Sequence, residues 1–170
     1  MSFINLYAYN TLSRERQDFL NKLVPWSVKM QEWTYLKSEF VGVESPRGIM
    51  ASIIMAEIIF NSRWGEHPIA QPEVGNKYSN NLVLLEVDSN LPGRFNLHQG
   101  KEYRAYKDWE AFCVDYTDYL VFSGLFNIPL LCRREQDQIK ALSYTKPNYK
   151  LWGQVISNII KQLNLSDFNS

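Results

Sequence analysis

A chain of 170 residues with 45% hydrophobic content has enough apolar mass for one sizeable core, and reads as one domain plus a short arm. Its 18 basic and 18 acidic residues cancel, with no basic block and no acidic tail, so nucleic acid and a charged membrane surface are both poor fits as partners. No stretch approaches the ~18 consecutive apolar residues of a membrane span. Residues 1–10 carry no basic n-region, no long apolar run and no small-residue cleavage site, so no secretory signal is read there.

Residues 1–12 read as an N-terminal arm and 13–170 as the domain. Ser13 to Phe40 has a helical pattern, with Phe19, Leu20, Leu23, Trp26 and Met30 on or near one face and Trp33 and Leu36 beyond. Pro25 lacks a donor and crowds the preceding turn, which predicts a break into two pieces. Ser45-Pro46 predicts a helix start, with a capping residue followed by proline in the first turn. From Ile49 to Phe60 the chain is apolar on almost every side. A helix apolar all round is a buried one, which makes this the central helix. Only Ser52, Glu57 and Asn61 interrupt it. Glu57 and Asn61 are four apart and share a face, and Gly65 stands at a C-cap position.

Between 66 and 107 the character changes. Pro68, Pro72, Gly75, Pro92, Gly93 and Gly100 punctuate short runs. Leu82–Val87, Arg94–His98 and Glu102–Tyr106 read as strands of a small irregular sheet. Asp108 is placed to cap the next helix, whose buried stripe is Trp109, Phe112, Tyr116 and Tyr119 or Leu120. A further helix runs from about Arg133 to Leu142. The last starts near Pro147, with Trp152, Val155, Ile156, Ile159, Ile160 and Leu163 at helical spacing. Helices, a small β insertion, then helices make an α+β plan with the sheet at one end. Cys113 and Cys132 sit beside apolar neighbours and read as small core residues, with a disulfide between them left open. His67 and His98 lack metal-ligand spacing, so neither a zinc site nor any cofactor is expected.

The run Ser52-Ile-Ile-Met-Ala-Glu-Ile-Ile-Phe-Asn-Ser-Arg-Trp-Gly65 resembles the active-site helix of the bacterial endo-β-N-acetylglucosaminidases. This lysozyme-like module occurs in flagellar-rod hydrolases, autolysins and phage tail enzymes. Ala56, Ser62, Trp64 and Gly65 match the family pattern, Glu57 stands where Gln is usual, and Asn61 occupies the place of the catalytic Glu. The resemblance extends over roughly residues 18 to 163. Phe19-Leu-Asn-Lys-Leu-Val-Pro-Trp-Ser resembles the family's first helix, and Val43-Glu-Ser-Pro-Arg the segment before the active-site helix. Asn80-Asn81-Leu82 resembles an Asn-Asn-Leu-Phe-Gly-Ile-Lys strand, although Val83-Leu-Leu-Glu86 replaces its remainder. Glu102-Tyr-Arg-Ala-Tyr-Lys-Asp-Trp-Glu-Ala-Phe resembles a Phe-Arg-x-Tyr strand and its following helix. Thr145-Lys-Pro-Asn-Tyr149 resembles the Thr-Asp-Pro-Asn-Tyr before the last helix.

The resemblance implies a lysozyme-like fold, with a mainly helical lobe around a buried central helix and a small β flap. It implies peptidoglycan or a related glycan as partner, and a few aromatics in sugar stacking rather than core. It places the catalytic position at Asn61, and Glu57 and Glu66 are the candidate displaced acids. It places substrate contacts at Trp64, Arg63, Asn80, Asn81, Ser143, Tyr144 and Tyr149. An amide at 61 has no proton for a glycosidic leaving oxygen. Ser143 stands in place of a Tyr, and Arg63 fills a position that is usually small. The expectation is therefore a degenerate glucosaminidase-like domain. It would be a structural or wall-contacting part of a phage tail or similar particle, made in the cytoplasm and assembled with other virion proteins. Two alternatives stand beside it: a working hydrolase using Glu57 or Glu66, and a glycan-binding module without an assembly role. Asn61 itself reads either as an amide satisfying free helix carbonyls or as a glycan contact. Glu73, Glu86 and Glu102 read as solvated charges.

Overall fold

The computed structural model describes residues 6–87 and 95–169. It contains, in chain order, α1 (Leu6–Thr11), α2 (Arg14–Phe40), α3 (Ala51–Ser62), β1 (Glu73–Val74), β2 (Lys77–Tyr78), β3 (Phe95–His98), β4 (Lys101–Arg104), α4 (Trp109–Phe122), α5 (Asn127–Leu131), α6 (Glu135–Ser143) and α7 (Tyr149–Leu163). It is mainly helical with small antiparallel sheets, the α+β class that the sequence predicts. Two units form, Met1–Ala56 with Tyr116–Ser170, and Glu57–Asp115. No helix among the described residues is long and apolar enough to cross a membrane.

In the first unit, the hydroxyl of Ser13 accepts from the N–H of Arg16 and caps α2. The helix then runs unbroken through Pro25, against the predicted break. Proline removes one bond, to the carbonyl of Asn21. A stripe of buried positions from Leu20 through Leu23, Ser27, Met30, Gln31 and Thr34 to Ser38 holds the helix together across that loss. Burial of this kind outweighs a single missing bond in a helix of 27 residues.

The second correction concerns the start of α3. Ser45-Pro46 does not open it; the helix begins at Ala51. Ser45 and Gly48 both have positive φ, +50° and +73°, so the chain turns sharply before it can wind. A Cβ at Gly48 would lie 2.7 Å from the carbonyl oxygen of Gln31. The buried donors at the start of α3 find side-chain acceptors far away in sequence. Ile49 N donates to Thr34 Oγ1 (2.8 Å), Met50 N to Gln138 Oε1 (2.7 Å), Ala51 N to Gln31 Oε1 (2.9 Å) and Ser52 N to Asn169 Oδ1 (2.9 Å). A buried helix end needs acceptors, and tertiary neighbours supply them in place of a local cap.

Within α3, every residue from Ala51 to Ile59 is buried, as predicted for a central helix; Phe60 departs from that and is 43% exposed. Four turns of α7 bury Trp152, Ile156, Ile160 and Leu163. Val155 and Ile159 are half-buried. α6 packs against α5 and α7, and α5, which the sequence reading did not place, packs against α2. Both cysteines are free thiols, Cys113 buried and Cys132 half-buried.

The second unit holds two antiparallel pairs. Glu73 faces Tyr78 in the β1–β2 pair, and β3 and β4 pair from Phe95↔Arg104 to His98↔Lys101. Arg94 of the second predicted strand lies outside the described residues. Leu82–Val87 is not a strand. Asn81 closes a turn there: its Oδ1 accepts from Leu85 N and its Nδ2 donates to Leu85 O, both at 2.9 Å, with Leu84 at φ +58°. Only Glu86 bridges to Tyr103. Asp108 caps α4 as predicted, its Oδ1 accepting from Ala111 N at 2.8 Å. Trp109, Phe112, Tyr116 and Leu120 form the buried stripe, with Tyr119 half-buried.

Candidate functional site

Asn61 lies in the last turn of α3, in the second unit, half-buried. Its side-chain amide has no hydrogen-bond partner among the described residues, so it is not spent on helix carbonyls. The chain then reverses through three consecutive left-handed residues, Arg63 (φ +51°), Trp64 (+60°) and Gly65 (+77°). Glycine adopts this conformation freely, whereas each residue with a Cβ gives up about 1–2 kcal/mol. The reversal is braced from both sides. Trp64 N donates to Ile59 O (3.0 Å), Gly65 N to Ser62 Oγ (2.9 Å) and His67 N to Ser62 O (2.9 Å). The buried Ser62 of the family-like run is therefore the clamp of the turn. The helix stop begins at Arg63, two residues before the predicted cap at Gly65.

Glu57, one turn before Asn61 on the same face, is 5% exposed. Glu66 is exposed, directly after the reversal, and Arg63 is exposed while Trp64 is half-buried. Asn80 and Asn81 are buried and bonded to backbone: Asn80 Nδ2 donates to Tyr106 O (3.0 Å), and Asn81 Nδ2 donates to Arg104 O (2.9 Å) as well as to Leu85 O. These two amides tie the segment after Pro72 to the end of β4. Glu86 pairs with Lys101 at 2.7 Å, both exposed. Arg104 Nη1 meets Asp115 Oδ2 at 2.7 Å, and the hydroxyl of Tyr106 donates to the same oxygen. Burial first, and the Asp115 carboxylate second, hold the Tyr106 phenol well above its ordinary pKa, so it stays protonated.

The sequence treats His67 and His98 as unrelated, yet their rings meet edge to face with centroids 5.1 Å apart. His67 Nδ1 accepts from Ile69 N (3.2 Å) and caps the 3-10 turn Pro68–Ala70. Burial lowers the His67 pKa, and the nearby His98 and Arg63 lower it further. No spacing signal in the sequence marks this pair.

In the first unit, Ser143 is buried and its hydroxyl donates to Lys140 O at 2.6 Å, so it is bonded back onto its own helix. Tyr144 and Tyr149 are brought together as a stacked pair, with centroids 5.5 Å apart and planes 26° from parallel. They border a groove of about 620 Å³ between α6 and α7.

The backbone was compared with solved structures. The catalytic domain of the autolysin Auto from Listeria monocytogenes matches with TM-score 0.65 at 11% identity, over 94% of this chain and 90% of that one. A peptidoglycan hydrolase from Sphingomonas sp. A1 matches with TM-score 0.64 at 20% identity, over 88% and 94%. The glycoside hydrolase domain of Salmonella typhimurium FlgJ matches with TM-score 0.58 at 20% identity, over 86% and 87%. The fold is that of peptidoglycan hydrolases. No family model matches the chain, and no curated protein matches it in sequence.

On this fold, the end of α3 and the reversal after it present one amide without a partner among the described residues, one half-buried indole and one exposed guanidinium within four residues. An amide donates through its N–H groups and accepts through its carbonyl, but it transfers no proton at any ordinary pH. The arrangement offers hydrogen-bond donors and an acceptor to a polar group. It does not by itself supply the acid that glycoside cleavage needs.

Proposed function

We propose that the chain is a degenerate glucosaminidase-type domain that holds wall glycan without cutting it. The observation that carries this reading is Asn61: a half-buried amide, without a hydrogen-bond partner among the described residues, where the resemblance places the acid. Neither candidate replacement is well placed for the work. Glu57 is buried, and a leaving oxygen must come within hydrogen-bond reach of its acid. Glu66 stands beyond a reversal of three left-handed residues, exposed to solvent, away from the last turn of α3 where the resemblance places the acid. Loss of a general acid alone removes roughly 10²–10⁴-fold in rate. We place the domain in a phage tail or similar particle as part of the same proposal. A tail part that docks on a wall needs adhesion, which an amide site supplies, and does not need turnover.

The test pairs dye release from labelled, purified peptidoglycan with co-sedimentation on the unlabelled polymer. Binding without release is the expected result, weakened by Asn61→Ala and by Trp64→Ala. Release at a rate abolished by Glu57→Gln or Glu66→Gln would overturn the reading in favour of a working hydrolase. Absence of binding would overturn it altogether. Mass spectrometry of purified particles tests the placement.

A further inference from the structure

α5 is a short helix of five residues whose two sides are unequal. On the inward side Phe126, Pro129 and Leu130 are buried. Gln138 Nε2 donates to Pro129 O at 2.9 Å, and Arg47 N donates to Leu130 O at 2.8 Å. These contacts fix the helix to the core. On the outward side Leu125, just before the helix, then Ile128 and Leu131 follow at intervals of three, the spacing of one helix face. They are 59%, 72% and 47% exposed. Single exposed apolar residues are ordinary, but three large aliphatic side chains in a row mark a surface that meets another one.

Beside this stripe lies a recess of about 650 Å³ between α5 and α6, wholly within the first unit. Leu125, Ile128, Pro129 and Cys132 line it from one side and Ala141 of α6 from the other. Its charged lining is one residue of each sign, Asp137 and Lys140, three apart on α6. Asp137 meets Arg134 of its own helix at 2.7 Å, an exposed pair that contributes little. The Lys140 ammonium has no partner among the described residues. The patch thus holds a protruding aliphatic side chain next to an apolar recess, and an anion next to a cation.

We infer that the α5–α6 face is a two-fold interface with a second copy of this chain. A two-fold interface joins a patch to itself, so whatever one copy presents the other must accept. Ile128 of each copy enters the recess of the other, and Asp137 of each copy faces Lys140 of the other. A patch that fitted a different protein would need only one half of each pair, a knob or a recess, one sign or the other. The formal net charge of zero leaves no overall repulsion between two copies. The helices are five and nine residues long, so the face falls short of the ~800 Å² per partner of a stable complex. The pairing is therefore reversible, with a dissociation constant of about 10–100 µM. It uses no residue near Asn61 and stands independently of the glycan reading.

Sedimentation velocity of the full chain from about 1 to 200 µM reads the association directly. A concentration-dependent monomer–dimer equilibrium is expected. Ile128→Asp, at a position open to solvent in the single chain, should raise the dissociation constant by about tenfold or more. Asp137→Lys and Lys140→Asp should each weaken the dimer by about three- to tenfold, because each sets like charges opposite one another. An equimolar mixture of those two variants should regain the parent's affinity, since each copy then offers the other the opposite sign at both contacts. Thermal midpoints equal to the parent's establish that the variants fold. A monomer across the whole range would overturn the inference, and so would a dimer indifferent to Ile128→Asp. Weakening by both charge variants without recovery in the mixture would overturn the two-fold pairing.

Discussion

Gln138→Met is the most direct test of how the central helix is held. Gln138 is fully buried on α6, and its amide makes three bonds to backbone. Oε1 accepts from Met50 N at 2.7 Å, and Nε2 donates to Gly48 O at 2.8 Å and Pro129 O at 2.9 Å. Methionine matches the volume closely and supplies none of the three. One N–H and two carbonyls then lose these partners inside the protein, at about 1–3 kcal/mol for each group left unsatisfied. Carbonyls tolerate the loss better than an N–H, so a total of about 3–5 kcal/mol is expected. Gln138→Glu should fare no better, since a carboxylate still accepts from Met50 N but has nothing to donate to two carbonyls. Gln136→Ala, exposed on the same helix, serves as the control and should stay within about 0.5 kcal/mol. Urea unfolding followed by circular dichroism gives the values, with an unchanged denaturant slope as the condition for comparison. A cost below about 1 kcal/mol for Gln138→Met would show that the start of α3 is not held by tertiary caps.

Other substitutions test separate parts of the same account. The Ser27 hydroxyl on α2 is buried without a partner among the described residues, so Ser27→Ala should raise stability by about 1 kcal/mol in the same unfolding assay, and a loss would contradict that. His67 is kept neutral by burial, with His98 and Arg63 adding to the effect, and its folded pKa lies below its unfolded one. Its contribution is therefore present above the unfolded pKa of about 6.5 and is lost as pH falls below it toward the folded value. Urea midpoints at pH 7.5 and 5.5 should drop for the parent and drop less for His67→Asn, and parallel drops would remove His67 from the explanation. Asn61→Glu alone should release little or no dye from peptidoglycan, because the guanidinium two residues on favours the charged carboxylate and lowers the pKa that a general acid needs raised. Asn61→Glu with Arg63→Gly should do better, and equal rates for both would acquit Arg63.

What could be read from the sequence was what depends on local periodicity. The apolar stripe of α7, the Asp108 cap and the all-round burial of α3 up to Ile59 follow from spacing alone, because each is a property of one helix and its solvent exposure. The misreadings share a physical cause. Ser45-Pro46 has the composition of a helix start, yet Thr34, Gln31, Gln138 and Asn169 decide where α3 begins, and they lie 15 to 117 residues from the groups they cap. Pro25 should break a helix judged by its own bonds, and does not break one held by a buried stripe. Leu82–Val87 has strand composition, but one asparagine side chain closes a turn before a ladder can form. The resemblance pointed to residue 61 and the reversal after it, whereas the His67–His98 contact and the α6–α7 groove needed coordinates.

On the proposed reading of Asn61, the reversal after it makes holding and cutting separable. A helix that merely has to stop needs a single glycine in the left-handed region. Here Arg63 and Trp64 adopt that conformation before Gly65 does, at about 1–2 kcal/mol each. Ser62 offsets part of this with its hydroxyl and its carbonyl, and Trp64 N closes onto Ile59 O. Strain of this kind persists where surrounding bonds over-determine it, and what it achieves is placement of side chains. All of those bonds are made by backbone groups and by Ser62, and none by the side chain at 61. The placement of that side chain is therefore indifferent to whether it ends in an amide or a carboxyl. Binding depends on the placement, and turnover depends in addition on a proton that an amide does not carry. A chain can thus lose cleavage through one atom type at position 61 while the turn that presents the position remains fully built.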